Sequence, residues 1–147
     1  MHSNRSWLVS LSVGGLLLAL SACGESGPPK SVVKGTITNA GKVIPIKITE
    51  SKSGEFLRVW LKEANPGKLT DSYNAIIKFE DGTFTIPGGD GRGVPAGKYK
   101  VFIEWNDNFP MGKDLLKGRF SEANSKILRD IPPPNGVLNI DVSKPEG

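Results

Sequence analysis

The sequence predicts an all-β fold, an antiparallel sandwich of about seven short strands, on three observations. Apolar residues recur at every second position in short runs, the period of a half-buried strand. Turn-forming clusters of Gly, Pro, Asn, Asp and Ser separate those runs by about 8 to 12 residues. No long stretch carries a helical period, and no strand-helix-strand alternation of the kind a parallel sheet needs occurs anywhere.

The chain opens on a segment with the layout of a secretory signal. A polar head, Met1 to Arg5, precedes an apolar run broken only by small residues. Leu8 to Leu20 would make about 20 Å of helix against roughly 30 Å of bilayer hydrocarbon, too short for a permanent span. Leu20-Ser21-Ala22-Cys23 follows, which resembles the lipobox of bacterial lipoproteins: a branched apolar residue, two small ones, then the cysteine that is lipidated before cleavage. The alternative is a plain secretory signal with an incidental cysteine. The resemblance implies cleavage after residue 22, a diacylglycerol thioether on Cys23, and attachment to the membrane on the extracytoplasmic side of a bacterial envelope. Two or more acyl chains anchor stably, at about 0.8 kcal/mol per buried CH₂. Cys23 is the single cysteine, so no disulfide forms within the chain and the domain depends on its core.

Residues 23–30 read as a tether, with glycine, serine and two prolines and no apolar period. The domain is expected over residues 31–147. Val33, Gly35 and Ile37 alternate with Lys34, Thr36 and Thr38 and end at the turn signal Asn39-Ala40-Gly41-Lys42. Ile44, Ile46 and Ile48 suggest a second strand with Pro45 at its edge. In the third, Leu57, Val59 and Leu61 are taken as the buried face, which turns Trp60 outward or into a second interface. Tyr73, Ala75, Ile77 and Phe79 form the inward set of a fourth.

Asp81-Gly82 has the composition of a two-residue hairpin, which would place Phe79 and Phe84 on paired strands. After the glycine-rich loop Gly88 to Gly93, the residues Tyr99, Val101, Ile103 and Trp105 share one face of what should be the central strand, with Lys98, Lys100 and Glu104 on the other. Residues 106–136 carry weak signals: a helical turn at Leu115-Leu116, another capped by Ser121, and a strand over Lys126 to Ile131. The proline run 132–134 forces an extended arm, and Leu138, Ile140 and Val142 form the last strand.

Three fragments resemble the transthyretin-like family, which includes the regulatory domains appended to carboxypeptidases. They are Val33 to Thr38 with Gly41-Lys42, Asp81 to Phe84, and Val94 to Val101. The stand-alone version in small bacterial lipoproteins is the nearest likeness. The resemblance implies a prealbumin-like sandwich. It does not select among the carriers, hydrolases and spacer modules that share the fold.

Composition narrows the chemistry. The 19 basic and 15 acidic residues are interleaved, giving +4 for the whole chain, without the basic patch that nucleic-acid binding needs. The single histidine, His2, and Cys23 fall in the leader and at the lipid, so the expected domain has no Ser-His or Cys-His pair and no imidazole for zinc. No catalytic residue, metal site or cofactor is predicted. The glycine loop lacks the context of a phosphate loop, and Asp81, Asp90 and Asp107 lack the spacing of a calcium loop. Trp60, Phe102 and Phe109 are the candidate binding residues, as outward aromatics that would stack on a sugar or meet a protein, unless the segment after Trp105 folds over them. The expected role is a non-enzymatic envelope module that is structural or binds protein; the alternative is carbohydrate binding through those rings.

Overall fold

The computed structural model describes residues 27–46, 54–64, 71–108 and 112–147. The predicted signal, the lipobox residues Leu20, Ser21, Ala22 and Cys23, and Phe109 lie outside them. Within them the protein is all-β, with eleven strands and no helix. In chain order these are β1 (Lys30–Ser31), β2 (Val33–Asn39), β3 (Lys42–Val43), β4 (Phe56–Glu63), β5 (Ser72–Asn74), β6 (Ile76–Lys78), β7 (Thr83–Ile86), β8 (Val94–Pro95), β9 (Gly97–Asn106), β10 (Leu128–Ile131) and β11 (Leu138–Asp141).

Two sheets face each other. The first has the order β10-β9-β4-β5, the second β11-β2-β7-β6 with β3 on β2, and β1 pairs with β8 at one end. The centre of the first sheet is the antiparallel pair β4 and β9, in register from Phe56 opposite Asn106 to Glu63 opposite Tyr99. Strand periodicity then decides what is inside. Leu57, Val59, Leu61, Tyr99, Val101 and Ile103 from the first sheet meet Val33, Ile37, Phe84, Ile86, Leu138 and Ile140 from the second, all at most 5% exposed. With no disulfide, this interior holds the fold, each fully buried large apolar side chain contributing about 1.5–3 kcal/mol.

The strand expected over 73–79 keeps its alternation but is divided between the sheets. β5 pairs with β4 and β6 with β7, and between them the Ala75 amide donates to the Val59 carbonyl at 2.9 Å. The two sheets are thus joined along one side and the array curls.

Several expectations change. The middle hairpin is not a two-residue turn: Lys78 pairs with Thr83, Gly82 (φ 71°) donates its amide to the Lys78 carbonyl, and Phe79 lies in the loop rather than on a strand. Asp81 accepts from the Thr83 amide and hydroxyl, an Asx turn that favours the longer loop. The two-residue type I′ turn is instead Ala40-Gly41, with φ of 53° and 73°. In the stretch expected as the isoleucine strand, β3 ends at Val43 and Ile44 to Ile46 follow outside any strand, with Ile44 buried; residues 47–50 lie outside the described set.

The last strand departs from a wholly antiparallel scheme. β11 runs parallel to β2, because the chain leaves β10 in the first sheet and crosses by the proline arm to enter the second from the end where β2 begins. The turn expected at Ser121 is present as a single turn, the Ser121 carbonyl accepting from the Asn124 and Ser125 amides, and it does not continue into a helix. Residues 114–125 are successive turns, in which Asp114 accepts from the Leu116 and Gly118 amides, and the segment lays Leu116, Phe120, Ser125 and Ile127 against the core edge.

Asp141 ties β11 to the β2–β3 turn. Its carboxylate accepts from the amides of Ala40, Gly41 and Ser143 and from the Ser143 hydroxyl. These bonds, the Ser143 ones first, hold its carboxyl below the ordinary carboxylate range. A folded-state pKa below the unfolded value, about 3.9 for aspartate, means stabilisation that is complete above that value and is lost as pH falls through the folded one. Asp141→Ala is therefore expected to lower the melting temperature more at pH 6 than at pH 3. An equal loss at both values would show that the ionised bonds do not carry the effect.

Candidate functional site

Trp60 and Phe102 do face away from the main core, as their strand parity requires, and stand opposite each other across β4 and β9. Their ring centroids are 5.5 Å apart, tilted by 33°. They are not open, however: Trp60 is 7% and Phe102 4% exposed. The Arg58 guanidinium lies 4.6 Å from the Trp60 centroid and the Lys100 ammonium 5.6 Å from that of Phe102. Glu122, from the segment after β9, bonds Lys62 at 2.5 Å and accepts Lys100 through its backbone carbonyl. Its carboxyl is held low, first by that Lys62 bond, with Trp60 and Arg58 adding. The late segment therefore reaches over the pair, and long cationic side chains do the rest of the covering.

The outer face of the second sheet is where apolar side chains stay in solvent. β6, β7, β2 and the approach to β11 place Ile76, Thr85, Lys34 and Val137 side by side in one cross-strand row, with Lys78, Thr83, Thr36 and Asn139 in the next. Ile76 is 66% and Val137 45% exposed. A shallow groove of about 610 Å³ runs over this face, with Lys34 and Lys78 on it and no carboxylate among its described lining residues. Thr36 and Asn139 are bonded to each other at 2.9 Å, which fixes the floor of the second row.

A cleft opens at the end of the sandwich where β1 pairs with β8. Pro28, Glu63, Asp71, Tyr73, Pro95 and Tyr99 line one half, about 200 Å³. The other half, about 310 Å³, shares Asp71, Tyr73 and Pro95 and adds Lys30, Asp90 and the glycine loop. Tyr99 is buried and donates its hydroxyl to the Pro95 carbonyl at 3.0 Å. Tyr73 meets it edge to face, with centroids 6.0 Å apart at 72°, and its hydroxyl reaches Asp71 at 3.4 Å. Burial above all, then the Asp71 charge and hydrogen bond, raises the Tyr73 hydroxyl; burial with Tyr73, Glu63 and Asp71 pushes Tyr99 up to about 12.

The aspartates considered for a cation have separate tasks. Asp81 serves its turn, Asp107 accepts from the Lys113 amide, and Asp90 pairs with Lys30 and Arg92, both at 2.7 Å. These ion pairs, Lys30 first, drive the Asp90 carboxyl far below its ordinary range. Among the described residues no three His, Cys, Asp or Glu side chains converge as metal ligands.

Sequence reasoning missed both the open sheet face and the cleft. Ile76 is visible as an isoleucine at an outward position of its strand, a signal that was present. The meeting of Glu63, Asp71 and Tyr99 depends on the corner at Ala75 and has no local signal. Compared with protein-family models, with characterised proteins and with solved structures, the chain matches none.

Proposed function

We propose that this chain is a non-enzymatic, lipid-anchored module of the bacterial cell envelope, a sandwich of the transthyretin-like type that works by contact with another protein. The observation that carries the protein-contact reading is the open row Ile76, Thr85, Lys34 and Val137. Two exposed aliphatics flanked by Lys34 and Lys78, without a carboxylate among the described residues of the groove, suit an acidic protein surface with an apolar patch. The lipobox Leu20-Ser21-Ala22-Cys23 supports the anchor and the address. Carbohydrate binding through the outward aromatics is not carried further, because Trp60 and Phe102 keep too little exposed ring to stack a sugar.

A photo-crosslinking amino acid at position 76, in the full chain and in its native membrane, is expected to trap one discrete acidic protein. Lys34→Glu with Lys78→Glu should abolish that product while leaving the melting temperature unchanged. The same product from a probe at Lys144, or its persistence in the charge-reversed variant, would overturn the assignment of the face. Fractionation tests the anchor separately: Cys23→Ser should leave the membrane fraction, and its retention there would refute lipidation.

A further inference from the structure

We propose that the half of the end cleft walled by Tyr73 and Tyr99 binds an organic cation, the ammonium or guanidinium head of a basic side chain. The inference stands apart from the anchor and from the sheet face. Its first ground is shape. The cleft is walled by two tyrosine rings set edge to face and two proline rings, and its volume of about 200 Å³ admits a cationic head group with part of its carbon stem.

Charge is the second ground. In the neighbouring half, Asp90 is neutralised by Lys30 and Arg92. In this half Glu63 and Asp71 face the opening, both exposed, and no cation is among the described lining residues. Burial is the main cause of the raised Tyr73 and Tyr99 hydroxyls, and the charges of Glu63 and Asp71 add to both. An anion entering here meets two carboxylates. A cation meets two opposite charges beside the Tyr73 ring.

Among the described residues no third carboxylate, histidine or cysteine joins the two to form a metal cage, and a hard metal ion takes six or so oxygen ligands. An organic cation needs no such shell, because its carbon stem rests on apolar surface while its head is paired. Pro28, Pro95 and the Tyr73 ring supply that surface.

The test uses the purified full chain in detergent micelles, titrated with N-acetyl-lysinamide, N-acetyl-argininamide and the uncharged N-acetyl-norleucinamide, followed by NMR shifts of Tyr73 and Glu63. At least one cationic amide should bind saturably, shifting those residues, while the norleucine amide does not. Glu63→Gln with Asp71→Asn, two exposed positions, should weaken binding by about tenfold, as the loss of two partly screened attractions requires. Asp130→Asn, an exposed carboxylate paired elsewhere with Lys98, should leave it unchanged. Binding of the norleucine amide as tight as that of the cations, binding of neither cation, or full affinity in the doubly neutralised variant would each overturn the proposal.

Discussion

Gly35→Ala is expected to destabilise the protein by about 3 kcal/mol or more, a large part of the roughly 5–15 kcal/mol that holds a domain folded. Gly35 lies in the middle of β2 on its inward side, between β7 and β11. A Cβ there would stand 2.0 Å from the Leu138 carbonyl oxygen and 2.4 Å from Cζ of Phe84. The first obstacle is backbone, so no rotamer change relieves it; β11 must move off β2. The second is a buried ring packed over the bare glycine. Urea unfolding monitored by circular dichroism checks this, and a midpoint like that of the parent would refute it. Adding Phe84→Leu removes only the ring clash, so that double variant should recover part of the loss and never all of it.

Phe120→Ala should cost about 3–5 kcal/mol, the usual range for emptying a fully buried aromatic site. The Phe120 side chain has no exposure, and its carbonyl accepts the Ile103 amide at 3.1 Å, which docks the 114–125 turns on β9. Truncation keeps that hydrogen bond and opens a void behind it. A fall in melting temperature of roughly 10 °C or more is expected for a domain of this size. Leu115→Ala, a nearby residue 42% exposed, should change it little. Equal losses in the two variants would mean that the segment contributes by its length and not by the buried ring.

Those two positions also mark the reach of the sequence. Gly35 lies within a run whose alternation, from Val33 to Thr38, predicts the strand and its buried face, and the same period holds through Leu57, Val59 and Leu61 and through Tyr99, Val101 and Ile103. A period of two is a local property, so burial on those strands is legible residue by residue. Phe120 is different. It sits in consecutive turns with no period, and it is buried because Ile103 and Asp114 hold the turns in place.

Pairing partners are equally hidden. The register of Leu138 against Gly35 joins residues more than a hundred positions apart, and its parallel sense follows from the path of the crossover rather than from the composition of either strand. The candidate aromatics show the division most clearly. Strand parity places Trp60 and Phe102 on the outer face, but their low exposure goes with their neighbours, Arg58 and Lys100 over the rings and Glu122, from a later segment, bonded to Lys62 and Lys100. Phe109 lies outside the described residues.

The corner at Ala75 yokes the two layers mechanically. Because the single stretch from Ser72 to Lys78 supplies an outer member to each, with the Ala75 amide fastened to Val59 at the bend, neither layer can peel away without dragging the other. Amide exchange protection in β4 and in β7 should consequently vanish in one common opening event, with the same denaturant dependence for both.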